Sequence, residues 1–266
     1  MARGGPMTEP ANATMQDGGT FDYIIVGAGS AGCALAARLS EDPSVTVLLL
    51  EAGGSGRHPW ISLPIGYGKA FYNRHLNWAY TAEADPGIGG RKMYWPRGKA
   101  LGGSSAINAM VYVRGHPADY DAWAKVAPGW SWAEVEPAFK RFENWTGAQS
   151  PQRGTDGPIT ITDVSDALHP ITRAAMDATT EAGISENADY NADSIYGVGP
   201  YQITTRRGVR ASAASGYLTP ARKRRNLTVR THTLAARIEL EGRRAKSLIY
   251  SHKAKSVRAR ARGEIV

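Results

Sequence analysis

Apolar residues along the chain follow three kinds of spacing, and each predicts a different element. Residues 23–26, Tyr-Ile-Ile-Val, form an unbroken apolar run rich in β-branched side chains, as a strand covered on both faces would be. A second such run, residues 45–50, closes on Glu51. Between them, residues 31–39 place Ala and Leu at spacings of three and four and stop ahead of Pro43, which predicts a helix. Strand, helix and strand at this length make a β-α-β unit suited to a parallel sheet. Residues 53–90 then lose all period while gathering Trp60, Tyr67, Phe71, Tyr72, Trp78 and Tyr80. So long an irregular stretch is expected to be a functional covering segment.

A second glycine-rich loop, residues 98–104, runs into an apolar and helix-like stretch over 106–113. Helical spacing returns over 119–142, interrupted by Pro128 and Gly129. Residues 158–162 alternate as a half-buried strand does, residues 170–182 read as a helix, and residues 201–205 alternate again. From residue 227 onward apolar positions alternate with charges. With Glu241 and Gly242 as a turn, this predicts a β-meander whose outward positions are Arg and Lys.

Length and composition bound the answer. A chain of 266 residues with 42% hydrophobic content can build one large domain or two ordinary ones. The net charge of +8 is confined: residues 222–262 hold 14 basic residues and only Glu239 and Glu241 as acids, leaving 18 basic against 22 acidic elsewhere. A solvated face of the meander explains that excess better than a nucleic-acid tract, since aromatic residues are not interleaved with it. The single cysteine, Cys33, excludes an internal disulfide framework and zinc sites built on cysteine pairs, and no metal is expected. No apolar run approaches a membrane span, and the first twenty residues lack an export core, so the chain reads as cytoplasmic with a disordered leader over 1–20.

The chemistry concentrates in two loops. Gly27-x-Gly29-x-x-Gly32 lies between the first strand and the helix, and Glu51 ends the next strand. In such a loop Gly27 permits the tight turn, Gly29 lets backbone approach a pyrophosphate, and Gly32 lets the helix lie close on the sheet. The pyrophosphate would sit at the positive end of the helix, and Glu51 would accept hydrogen bonds from ribose hydroxyls. Residues 28–32, Ala-Gly-Ser-Ala-Gly, also resemble a hydrolase nucleophile elbow with its first glycine replaced, but the two readings overlap and Glu51 favours the dinucleotide. In the second loop, Gly102-Gly103-Ser104-Ser105 with Lys99 before it and Asn108 after it can press against a flat ring or a phosphate.

Residues 97–115, Arg-Gly-Lys-Ala-Leu-Gly-Gly-Ser-Ser-Ala-Ile-Asn-Ala-Met-Val-Tyr-Val-Arg-Gly, resemble the first signature of the glucose-methanol-choline (GMC) oxidoreductases. Residues 22–54 resemble their FAD-binding opening. Residues 77–80, Trp123 and residues 215–218 also match the choline-dehydrogenase-like and alcohol-dehydrogenase-like bacterial members. The resemblance covers residues 21–266 and implies an α/β, Rossmann-like FAD-binding domain, incomplete, with a segment of an α+β substrate domain. It divides the chain into 21–157 and 206–266 for FAD and 158–205 for the substrate segment. Members oxidise an alcohol to an aldehyde or ketone by hydride transfer to flavin and pass electrons to oxygen or another acceptor.

Carried over residue by residue, the resemblance assigns Gly27, Gly29, Ser30, Ala31 and Gly32 to the pyrophosphate and Glu51 to the adenosine ribose. Gly103, Ser104, Asn108, Ala109 and Val111 would line the flavin, and Ala235 would offer adenine a backbone contact. It also places the catalytic base and most of the substrate domain beyond Val266, so no catalytic residue is expected in this chain. His58, His75, His116, His169, His232 and His252 match no catalytic position of the family. The implied partners are a small alcohol, an electron acceptor of unknown kind, and a second chain carrying the remaining half, with neither nucleic acid nor membrane span. A final strand with nothing after it would leave an open sheet edge. A nicotinamide-dependent dehydrogenase using the first loop and a truncated FAD-binding remnant without turnover stand as alternatives.

Overall fold

A computed structural model describes residues 15–266. It opens with β1 (Gln16–Val26), α1 (Ser30–Leu39) and β2 (Val47–Leu50). β1 and β2 are parallel, with Tyr23 opposite Val47 and Val26 opposite Leu50. Their unbroken apolar runs serve two cores. Ile25, Val47 and Leu49 pack with Cys33, Ala36 and Ala37 of α1. Ile24, Leu48 and Leu50 belong to a separate cluster with Leu248, Tyr250 and Val257. With both faces covered, no alternate position is left for a polar side chain.

The first strand starts earlier than the sequence suggests. Residues 1–14 of the expected leader lie outside the described residues, and 16–20 are strand rather than leader. Gln16 pairs with Val257, the Asp17 carboxylate meets Arg260 at 3.0 Å, and Gly18 lies so close under Tyr250 that a Cβ there would meet its hydroxyl at 2.8 Å. These contacts run through backbone and charge, so hydrophobic patterning does not reveal them.

Next come α2 (Pro117–Ala124), α3 (Trp132–Phe142), β3 (Glu143–Trp145), β4 (Ile159–Ile161) and α4 (Pro170–Glu181). The helical region expected over 119–142 divides around Pro128 and Gly129, as its punctuation predicted. The helix expected over 106–113 does not form. A short turn ends at Ala106, Met110 takes the left-handed φ of 66°, and Thr204 N–H donates to Met110 C=O at 2.8 Å while Tyr112 N–H donates to Gln202 C=O at 2.9 Å. Backbone partners ninety residues away have overridden a local helical spacing. Around this junction Tyr112, Trp145, Ile159, Ile161 and Ala211 form their own core. Beside it the fully buried Glu143 carboxylate is clasped by the Arg114 guanidinium and by Arg153, which also reaches Asp189 at 2.6 Å.

The chain ends in β5 (Leu227–Arg230), β6 (Thr233–Glu241), β7 (Arg244–His252) and β8 (Lys255–Ile265), and the sheet order is β6-β7-β8-β1-β2-β5. The meander is β6, β7 and β8, with the expected turn at Gly242 (φ 61°). β5, predicted as part of it, instead pairs in parallel with β2, Leu227 opposite Val47. Nor is the last strand an open edge, because β8 lies between β7 and β1. The sheet also curls. The Arg230 guanidinium of β5 hydrogen-bonds the Tyr250 hydroxyl of β7, four strand spacings away in sheet order, which in a flat sheet would be about 19 Å.

Candidate functional site

The site begins where β1 hands over to α1. Gly27 takes a φ of 98°, which side chains rarely adopt, and its N–H donates to Leu50 C=O at 2.8 Å, holding the turn against the end of β2. A Cβ on Gly32 would lie 2.0 Å from the Gly27 carbonyl oxygen, so α1 can rest on the turn only with glycine there. A Cβ on Gly27 or Gly29 would meet nothing within 4 Å. These two glycines therefore face open space, while Gly32 faces protein. α1 starts at Ser30 with no acidic residue in its first turn, which leaves its positive end available to an anion.

The second loop is packed onto the first. Gly102 N–H donates to Ala28 C=O at 2.8 Å, and a Cβ on Gly103 would lie 2.6 Å from Gly29 Cα. Its glycines thus answer first to the neighbouring backbone, and only then to anything bound.

Glu51 closes the floor. It is 5% exposed, its Oε2 accepts from Ala28 N–H at 3.0 Å and its Oε1 from Gly53 N–H at 2.8 Å. Burial raises its carboxyl above the ordinary glutamate range, opposed by those two N–H donors and by Lys99. Each carboxylate oxygen keeps a second lone pair, so bracing the turn does not exhaust its capacity to accept hydrogen bonds.

These parts enclose a cleft of about 540 Å³. It gathers Gly27, Gly29, Ser30, Glu51, Gly103, Ser104 and Ala235 from the expected set. Ala31 and Gly32 sit behind it within α1. Asn108, Ala109 and Val111 do not line it; the Asn108 side-chain oxygen accepts from Arg210 at 2.7 Å. The cleft also recruits Trp78, Tyr80 and Arg97, which the resemblance covered without giving them a role, and Thr233 and Leu234, which no motif touched. Trp78 and Tyr80 stack with centroids 5.9 Å apart, and Lys99 lies 4.6 Å over the Trp78 ring. The signal for this group was a polar one. Buried Asn77 accepts from Ala79 N–H at 2.9 Å and from Arg97 N–H at 2.8 Å, pinning the irregular segment to the cleft rim.

The nucleophile-elbow reading loses its partner here, because no histidine among the described residues lines the cleft beside Ser30. His58, His116 and His169 each precede a proline, and each accepts at Nδ1 from the backbone N–H two residues on, capping a helix. The Cys33 thiol, pushed up to about 12 by burial, donates to Ala28 C=O at 3.2 Å and packs in the core. An open glycine cradle, a free helix start and a carboxylate at the far strand end fit the pyrophosphate and ribose of a dinucleotide such as FAD.

Comparison with known proteins agrees. The GMC oxidoreductase family profile matches residues 21–266. The chain is 45% identical over 227 residues to the oxygen-dependent choline dehydrogenase of Vibrio vulnificus, covering 85% of this chain and 40% of that protein. Among solved structures, pyridoxine 4-oxidase from Mesorbium loti superposes with a TM-score of 0.87 at 37% identity, over 92% of this chain and 48% of that one. An FAD-dependent oxidoreductase from Chaetomium thermophilum gives 0.84 at 28% identity, over 92% and 44%. The chain thus spans less than half the length of each.

Proposed function

Because the chain belongs to the GMC oxidoreductase family, we propose that it supplies the FAD-binding part of a flavoenzyme that oxidises an alcohol carbon to an aldehyde or ketone. The observation that carries this reading is the packing of the two glycine loops into one cleft floored by Glu51. FAD, when bound, supplies the hydride acceptor. Gly27, Gly29 and the start of α1 hold its pyrophosphate, and Glu51 receives the ribose hydroxyls. Trp78 and Tyr80 shield the rim from water, with Arg97 adding positive charge.

Among the described residues, the titratable side chains lining the cleft are Glu51, Tyr80 and Arg97. Glu51 is engaged with Ala28 and Gly53, and an arginine is a poor proton acceptor. As the family resemblance implies, the base that takes the alcohol proton, worth about 10²–10⁴-fold in rate, is assigned to a further part of a longer protein or to a second chain.

Titrating residues 1–266 with FAD and following flavin fluorescence tests the reading. Saturable quenching that NADH does not reverse is expected, and displacement by NADH would favour the nicotinamide enzyme. With FAD bound, choline and benzyl alcohol are expected to give no dye reduction. Robust turnover would place the base within this chain and overturn that assignment.

A further inference from the structure

Of the arginines buried in the interior among the described residues, one lacks a carboxylate. Arg114 and Arg153 both share Glu143. Arg210, 5% exposed, donates only to neutral oxygens: Nε to Ile61 C=O at 2.9 Å, and Nη1 to Ser105 C=O at 3.2 Å and to the Asn108 side chain at 2.7 Å. Its Nη2 is buried and has no acceptor among the described residues. A buried guanidinium left in this state is costly, because buried charges are ordinarily paired. Burial alone pulls it down to about 10, with no acid opposing the shift.

Arg210 lines a cavity of about 360 Å³ that shares no residue with the glycine cleft. Arg57 and Arg222 stand at the same cavity, with the hydroxyls of Ser55, Ser62 and Ser212, and none of its lining residues is acidic. Arg57 and Arg222 are exposed, so they guard the mouth while Arg210 occupies the interior. Ser212 Oγ accepts from Ser215 N–H at 3.3 Å, and its own proton stays available for donation.

We propose that this cavity is a binding site for a small oxyanion of phosphate or carboxylate type, with Arg210 as the buried ligand and Arg57 and Arg222 closing over it. The two N–H bonds of Arg210 Nη2 are the donors left over, and with the guanidinium groups of Arg57 and Arg222 they can each meet an oxygen of such an anion, which chloride cannot exploit. The site rests on Arg210 and its surroundings alone, and does not depend on the FAD reading.

The test is calorimetric titration of residues 1–266 with inorganic phosphate and, separately, acetate, at ionic strength held constant with chloride. Saturable binding of either, with a dissociation constant of about 1 mM or tighter, is expected. Arg57→Gln and Arg222→Gln, both surface changes that leave thermal unfolding unmoved, are each expected to weaken it about tenfold. Arg210→Lys keeps the charge but loses the Nη2 donors and the guanidinium plane that Ile61, Ser105 and Asn108 hold in place, and is expected to weaken it further. Lys223→Gln, adjacent but outside the lining, serves as the control for general positive charge. Absence of saturation by both anions overturns the proposal, as does an equal loss in Lys223→Gln and Arg222→Gln. FAD affinity is read in parallel and is expected to stay unchanged in the Arg57 and Arg222 variants.

Discussion

Two glycines three positions apart do different work. A methyl on Gly29 would point into open space from a backbone at φ −75°, whereas one on Gly32 would strike the Gly27 carbonyl at 2.0 Å. Gly29→Ala is expected to unfold at the wild-type temperature yet lose FAD affinity. Gly32→Ala is expected to lose roughly 1–3 kcal/mol of stability through overpacking, whether or not FAD is present. Thermal unfolding paired with flavin fluorescence separates the two, and a stable Gly32→Ala would mean that α1 can slide off the turn. Both residues were legible as a motif. So was their division of labour; what the sequence could not show is that Gly32 answers to the Gly27 carbonyl in particular.

Among the elements, the histidine caps offer a direct test. His116→Ala removes the acceptor of the Ala118 N–H and is expected to cost about 1 kcal/mol in chemical unfolding. His116→Asn keeps an acceptor and is expected to recover most of that loss; equal losses would show the cap to be idle. A second test concerns the start of β2. The Asp22 carboxylate accepts from Arg262 and from the N–H and hydroxyl of Thr46, which together hold it far below the usual carboxylate range. A depressed carboxyl stabilises the fold above its unfolded value and loses that contribution as pH falls. The Tm difference between wild type and Asp22→Ala is therefore expected to be full at neutral pH and to shrink below about pH 3.8. A gap that persists in acid would mean the contribution is packing rather than charge. The β-α-β unit could be read from its apolar period because both of its strands are covered on both faces. The stretch 106–113 could not, since Thr204 and Gln202 decide its path. The same holds for β5, whose alternation is compatible with either a meander or a parallel edge until Leu227 is seen beside Val47.

For the whole molecule, the charge surplus has a structural address. Arg258 pairs with Glu239, Arg260 with Asp17, Arg262 with Asp22 and Lys246 with Glu241, so much of the basic quarter is tied into the sheet's own surface. Duplex DNA is expected to bind weakly, without sequence preference, and to dissociate by moderate salt in an anisotropy titration. A sequence-selective complex at physiological ionic strength would overturn this reading. No helix among the described residues is long and apolar enough to cross a membrane.

The pairing of β1 with β8 joins Gln16 to Val257 across almost the whole sequence. On a ribosome adding about 5–20 residues per second, β1 would wait on the order of 10–50 s for that neighbour to emerge. Until then its backbone is open along one side, and the cluster containing Ile24 and Tyr250 cannot close. The nascent chain is thus open to wrong pairings and to chaperone capture along β1 during elongation, and it is the arrival of β8, not of the nucleotide loop, that closes this side of the sheet.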